Sequence, residues 1–337
     1  MTVVCVPIGD PAGVGPEIVA ASIGDPIIAD VAVVAVGDEA ILRRAAEIMK
    51  VAPIIRRIDP TRIRAEARPG PLNLVQIDAP GLENFAFGKV QAACGQAAWD
   101  YIRTSIGLAM SGAVDAVATT PINKEALKAA GVSHIGHTEM FAALTGTADP
   151  LTMFQVRDLR VFFLTRHLSL ADACRAVTKE RLIDYIRRCI VALKQLGIDD
   201  AGLAVAGLNP HSGEHGLFGD EEVREVEPAI AAARAEGLDV VGPKPADSVF
   251  HFALEGAWDA VLSLYHDQGH IATKMVDFHR TISLTLGMPI LRTSVDHGTA
   301  FDIAGTGRVN PVSMVEAIRL AALYAGNFRR NVAAGAA

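Results

Sequence analysis

Short, almost unbroken apolar runs alternate along this 337-residue chain with longer amphipathic segments, and that alternation limits its fold more than any other feature. A run such as Val-Phe-Phe-Leu at 161–164 has no polar side, so a strand built from it must be covered on both faces. Parallel sheets flanked by helices meet that need, and the pattern predicts a layered α/β protein. Strands are expected at Val3–Ile8, Val31–Val36, Ala113–Thr119, Arg160–Thr165, Leu203–Leu208, Ala260–Leu264 and Thr281–Leu286. Helices are expected at Ile41–Lys50, Val90–Met110, Lys179–Leu196, Gly219–Glu236 and Pro311–Gly326. No internal repeat, low-complexity stretch or linker interrupts the series. Arg56–Leu82, with several Arg and Pro, reads as irregular surface, and the Ala-rich tail Asn331–Ala337 as a frayed end.

Half of the residues are hydrophobic and a fifth are charged, the balance of a globular enzyme and not of a disordered chain. The net charge is −7 with no Lys/Arg stripe, which argues against a nucleic-acid partner. Cys5, Cys94, Cys174 and Cys189 form neither a C-x-x-C pair nor a Cys/His finger, so free thiols in a reducing compartment are expected. The first residues lack a basic stretch followed by an apolar one, and no apolar run reaches membrane-spanning length. A soluble, cytoplasmic protein without a membrane partner is the expectation.

Three of the expected strands are each followed by a histidine. Arg-Val-Phe-Phe-Leu-Thr leads to Arg166 and His167; Leu-Ala-Val-Ala-Gly-Leu leads to Asn209, Pro210 and His211; Ala-Val-Leu-Ser-Leu-Tyr leads to His266 and Asp267. Open α/β sheets bind ligands beyond the carboxyl ends of their strands, so parallel neighbours would bring three imidazoles together there. Three neutral nitrogen donors with an open position suit a catalytic Zn²⁺ or a similar divalent ion. Any one of these histidines could instead cap its own strand. His270, in His-Asp-Gln-Gly-His, reads as a poor helical partner for His266 and is expected behind the ligands or on the surface.

Two glycine-rich loops bracket the chain. Gly9-Asp10-Pro11-Ala12-Gly13-Val14-Gly15-Pro16-Glu17 follows the first strand, but its spacing is neither G-x-G-x-x-G nor a P-loop. Asp296-His297-Gly298-Thr299-Ala300-Phe301-Asp302-Ile303-Ala304-Gly305-Thr306-Gly307 with Asn310-Pro311 stands near the other end. Together they resemble the isocitrate/isopropylmalate dehydrogenase superfamily. The resemblance implies that the second loop wraps the adenosine part of NAD through His297, Gly298, Thr299, Asp302 and Asn310. An Asp on a ribose diol would favour NAD over NADP, since a carboxylate repels a 2′-phosphate.

Within that superfamily, motifs across almost the whole chain resemble the 4-hydroxythreonine-4-phosphate dehydrogenase family. They are Thr119-Thr120-Pro121-Ile122-Asn123-Lys124, Gly136-His137-Thr138-Glu139, Asn209-Pro210-His211-Ser212-Gly213-Glu214, Gly242-Pro243-Lys244-Pro245-Ala246-Asp247, Tyr265-His266-Asp267-Gln268-Gly269-His270, and Arg292-Thr293-Ser294-Val295-Asp296-His297-Gly298-Thr299. The resemblance implies a divalent metal (Zn²⁺, with Mg²⁺ or Co²⁺ as other candidates) on His167, His211 and His266. It implies substrate contacts at His137, Thr138, Lys274 and Arg292, with a further one at the position held here by Ser283. Lys274 and Arg292 are the cations that a phosphate and a carboxylate require. It also implies an isocitrate/isopropylmalate dehydrogenase-like fold of two α/β lobes with the active cleft between them. The first lobe would be 1–128 with 285–337 and the second 129–284. A homodimer whose metal site takes ligands from both copies is implied as well.

The chain departs from the family's vitamin B6 (pyridoxine biosynthesis) branch in three places. Ser283 stands where that branch has Asn, Phe278-His279-Arg280 differs, and Thr165-Arg166-His167-Leu168-Ser169 replaces Thr-Thr-His-Leu-Pro. These features resemble the branch acting on 4-phosphorylated threonate or erythronate, which yields dihydroxyacetone phosphate. The expected reaction is oxidation at C3 of a small 4-phosphooxy-3-hydroxy acid with NAD, followed by decarboxylation, with an amine or a hydroxyl at C2. Asp247 and Asp267 are the candidate bases, and Lys274 the candidate proton donor. A phosphotransacylase-like enzyme, a metal-dependent phosphatase and a catalytically dead binding module are the rival readings. The first two would need no NAD.

Overall fold

Strands form where the apolar runs stand, and in most of them consecutive residues are buried, as a sheet covered on both faces requires. The structure, a computed structural model, describes residues 1–335 and divides into two units. The first comprises Met1–Pro150 and Met288–Arg329; the second comprises Leu151–Gly287 and the described residues from Arg330.

In the first unit the strands are β1 (Thr2–Pro7), β2 (Val31–Gly37), β3 (Ile55–Arg57), β4 (Leu72–Gln76), β5 (Ala116–Thr119) and, after the second unit, β12 (Arg292–Val295). Their order is β3-β4-β2-β1-β5-β12, and every pairing is parallel. Strand β4 corrects the expectation that Arg56–Leu82 is irregular surface. Leu72, Asn73, Leu74 and Val75 are buried, and Asn73 donates to Val33 O and Arg68 O at 2.9 and 2.8 Å. A buried Asn satisfied by neighbouring backbone made the strand look polar. Helix Ala92–Met110 packs on β1 and β2, with Gly95 so close to Ala126 O that a side chain there would collide. Helix His137–Thr145 also belongs to this unit.

The second unit holds β6 (Leu151–Val156), β7 (Leu159–Phe163), β8 (Leu203–Ala206), β9 (Val240–Lys244), β10 (Ala260–Ser263) and β11 (Ile282–Leu286). Their order is β11-β6-β7-β10-β8-β9. The β6 pairings with β11 and β7 are antiparallel, and the rest are parallel. The three strands expected to precede histidines, β7, β10 and β8, are therefore adjacent and parallel. Phe154, Val161, Phe163, Ala204, Val249 and Val261 form part of the apolar cluster on this sheet.

The C-terminal helix runs from Val312 to Ala333, so the first three residues of the tail expected to fray from Asn331 continue a helix; residues 336 and 337 lie outside the described residues. The cysteines are free, with only Cys174 partly exposed. Among the described residues no helix is long and apolar enough to cross a membrane.

Candidate active site

Strand ends set the positions of the second unit's histidines. β10 gives way at Tyr265 to helix His266–Val276, which places His266 at its first turn. Leu164 N donates to Ser263 O at 2.8 Å and Thr165 Oγ1 to Leu264 O at 2.8 Å, tying the end of β7 to that of β10. The buried Gln268 accepts from Leu264 N at 2.7 Å and donates to Gly207 O at 2.8 Å, joining β10 to β8. On this frame the rings of His167 and His266 have centroids 6.2 Å apart, inclined by 40°. Asp267 Oδ1 lies 2.8 Å from His266 Nδ1. A proton on Nδ1 leaves Nε2 as the donor atom for an ion, the usual arrangement for a carboxylate behind a metal-binding imidazole.

His270 corrects the sequence reading in one respect, its helical pairing with His266. It lies one helical turn from His266, stacked on it at 3.8 Å and 11°, with Nδ1 2.9 Å from His266 O. The rings of Phe154 and Phe163 wall it in at 4.3 and 4.4 Å. Gly269 lets the helix approach the sheet. A Cβ there would fall 2.5 Å from Phe163 and 2.7 Å from Ser263 Oγ.

His211 is held differently. Residues 211–215 all have positive φ, four of them without the freedom of glycine, forming a left-handed turn. The fully buried Glu222 secures its entry, accepting from Leu208 N and Asn209 N at 2.7 Å each and from Asn209 Nδ2 at 2.8 Å. Glu222 begins a π-helical turn, Glu222–Val226, that runs without a gap into helix Glu227–Ala235, so the helix expected at Gly219–Glu236 forms with a π-helical first part. Among the described residues no three His, Cys, Asp or Glu side chains form a group able to hold a metal ion. His167 and His266 lie together, and among the described residues His211 forms no such group with them.

Of the other candidates in this unit, Lys274 projects from the same helix as His266, its Nζ 5.3 Å from the centre of the Phe278 ring. Ser283 lies half-buried on β11 opposite Phe154, and Asp247 is exposed before helix Val249–Leu254.

The first unit contributes a buried cation. Arg292, on β12, is 4% exposed, donates to Thr119 Oγ1 at 2.9 and 3.1 Å, and stacks 5.1 Å over Phe141. Burial pulls its pKa down to about 9, leaving it charged at neutral pH. His137 opens helix His137–Thr145, with its Nε2 buried and lacking a hydrogen-bond partner. Burial, and next the Arg292 charge, hold its pKa well below the usual imidazole value. A neutral imidazole with an unsatisfied nitrogen beside a buried guanidinium is an arrangement that an anionic, hydroxyl-bearing ligand would complete. Thr138 follows on the same first turn.

The C-terminal glycine loop follows β12. His297 is held by Gly298 O at 3.0 Å and by Ser313 Oγ at 2.9 Å. Gly298 is exposed with open space where a Cβ would stand, and Asp302 and Asn310 are exposed on the same loop. Asn310 Oδ1 accepts from Val312 N at 3.0 Å at the start of the last helix. The sequence reading missed the buried carboxylates Asp10, Glu17 and Glu222. Their acidic character gave no sign that each would be enclosed by backbone.

Residues 29–321 match the family described as pyridoxal phosphate biosynthetic protein PdxA. A relative from Symbiobacterium thermophilum, provisionally named D-threonate 4-phosphate dehydrogenase, is 58% identical over 325 residues, covering 96% of each chain. One from Fusobacterium nucleatum with the same provisional name is 56% identical, over 97% of this chain and 98% of its own. The crystal structure of 4-hydroxythreonine-4-phosphate dehydrogenase from Klebsiella pneumoniae superposes with a TM-score of 0.89 at 42% identity, covering 96% of this chain and 98% of that one.

Proposed function

The chain belongs to the PdxA family, and from that premise we propose that it oxidises the C3 hydroxyl of a 4-phosphooxy-3-hydroxy acid with NAD, with loss of CO₂. The observation that carries this reading is the His167–His266 pair, with Asp267 behind it, at the carboxyl ends of adjacent parallel strands. His167, His266 and His211 would hold the divalent ion, and the loop from His297 to Asn310 the dinucleotide. When bound, the ion supplies Lewis acidity and the dinucleotide a hydride acceptor.

The chain's own residues divide the remaining work. Arg292 and Lys274 bind the substrate's anionic groups, and His137, kept neutral, hydrogen-bonds a substrate oxygen together with Thr138. Asp267, engaged with His266 Nδ1, orients that imidazole, which leaves Asp247 as the stronger candidate to take the C3 hydroxyl proton. Lys274 is the candidate to return a proton to carbon after CO₂ leaves. Asp247→Asn is expected to lower kcat at least about tenfold at unchanged substrate affinity. A kcat equal to that of the unaltered enzyme in steady-state assays removes it as the base.

A hydroxyl at C2, as in 4-phosphothreonate or 4-phosphoerythronate, is the favoured substrate feature. It is supported by the 56–58% identity to relatives bearing the threonate name and by Ser283, whose hydroxyl replaces a longer amide. The second reading, 4-phosphohydroxythreonine, is supported by the similarity to the Klebsiella enzyme. An assay of NAD reduction with Zn²⁺ and each of the three substrates tests both. The expected result is a kcat/KM at least about tenfold higher for the C2-hydroxy acids. The reverse order selects the second reading, and phosphate release without NAD overturns both.

We propose a homodimer as the working form. Each histidine has exposed apolar neighbours: Leu168 and Leu170 near His167, Leu217 and Phe218 near His211, and Ile271, Met275 and Phe278 along or just past the helix that starts at His266. A second copy covering these side chains could supply the donor that a single chain leaves out of the group.

A further inference from the structure

The N-terminal glycine run has the composition of an anion-binding loop, yet four of its amides are already engaged within the chain. Asp10 N donates to Pro121 O at 3.3 Å, Ala12 N to Asp10 Oδ1 at 2.8 Å, Gly13 N to Asp10 O at 3.0 Å, and Val14 N to Thr299 O at 3.0 Å. The run instead seats the C-terminal glycine loop. Gly13 lies flush on Thr299, where a Cβ would come within 2.9 Å of the Thr299 Cβ. Four residues on, in the first turn of helix Gly15–Ser22, stands Glu17, 1% exposed. Its Oε1 accepts from Gly305 N at 2.7 Å and its Oε2 from Gly307 N at 3.2 Å. Both glycines have positive φ, with Gly305 against Phe87 and Gly307 against Ile48 O, so neither could carry a side chain in this conformation. A buried carboxylate receiving two peptide N–H groups is a strong and directional tie.

We propose that Glu17 is a positioning residue for dinucleotide binding: by clamping Gly305 and Gly307 it holds the 298–307 loop in the shape that presents Asp302 to the ribose. This rests on the reading of that loop as the cofactor site. Preorganisation of this kind lowers the ordering cost of binding, so its loss acts on affinity and not on the chemical step. Glu17→Gln keeps the side chain's shape but turns one acceptor into a donor facing a donor; Glu17→Ala removes both bonds.

The test is the NAD Kd of the full chain by isothermal titration calorimetry, alongside steady-state kinetics and Zn²⁺ affinity. The expected result is a Kd and a KM for NAD at least about tenfold higher in both variants, with kcat at saturating NAD and Zn²⁺ affinity within twofold of the unaltered protein. Amide exchange at Gly305 and Gly307 should accelerate in both. If Glu17→Ala does not fold, Glu17→Gln decides by the same measurements. A variant that melts lower but binds NAD with unchanged Kd has lost only a structural tie, and the proposal falls. If the unaltered protein itself binds no NAD, the cofactor reading falls first, by a result that does not involve Glu17.

Discussion

Asp10 is 1% exposed, with Oδ1 accepting from Ala12 N and Oδ2 without a partner. Burial raises its carboxyl to about 6, against a smaller opposing pull from the Ala12 hydrogen bond. The folded chain therefore keeps a proton that the unfolded chain releases above pH ~4. The stabilisation this gives is full below that pH and is lost as pH rises through about 6. Asp10→Asn keeps an oxygen for Ala12 N and removes the ionisation. Its stability relative to the unaltered protein is expected to rise by up to about 3 kcal/mol between pH 4 and 7, read by urea unfolding. A pH-independent difference rejects the buried, protonated carboxyl. His137 carries the opposite sign: its folded pKa is lowered, so the unfolded chain takes up protons first as pH falls below ~6.5, and stability drops with pH there. His137→Asn should flatten that acid limb in the same titration.

Among the elements, helix His266–Val276 does the most to build the site, and it depends on Gly269. Gly269→Ala forces the helix away from Phe163, Val161 and Ser263, displacing His266 and His270 together. A loss of about 1–3 kcal/mol in unfolding free energy is expected, with Zn²⁺ affinity at least tenfold weaker; unchanged Zn²⁺ binding in the folded variant separates the helix position from the metal site. This helix also marks the limit of what the sequence could disclose. The order of apolar runs revealed β7, β8 and β10, and the histidines beyond them, because burial on both faces leaves a signal in every residue of a strand. The purpose of Gly269, close approach to Phe163, belongs to another element and leaves no mark in the local pattern. The left-handed turn at 211–215 was equally hidden. Glycine permits it at only one of the five positions, and Glu222 enforces its entry from a π-helical turn that no apolar period announces. Strand β4 escaped notice because Asn73 is satisfied by Val33 O and Arg68 O, partners not visible in a linear pattern.

For the whole molecule, the proposed metal site and the proposed dimer are one equilibrium. If the ion draws donors from two copies, zinc must tighten association by the same factor by which association tightens zinc. Ile271 and Met275 stand a helical turn apart on the His266 helix and are both largely exposed, Met275 at 80%. Met275→Asp leaves the folded chain untouched if that side chain meets only solvent in one copy, but buries a carboxylate if a second copy covers it. Sedimentation equilibrium should then show a dimer Kd raised at least about a hundredfold. Zinc affinity measured at micromolar chain should fall in parallel and recover as the protein concentration is raised. Loss of association with zinc affinity unchanged would mean that each copy holds its ion alone, with His211 reaching His167 and His266 by a rearrangement within the chain. Unchanged association would instead assign Met275 to solvent.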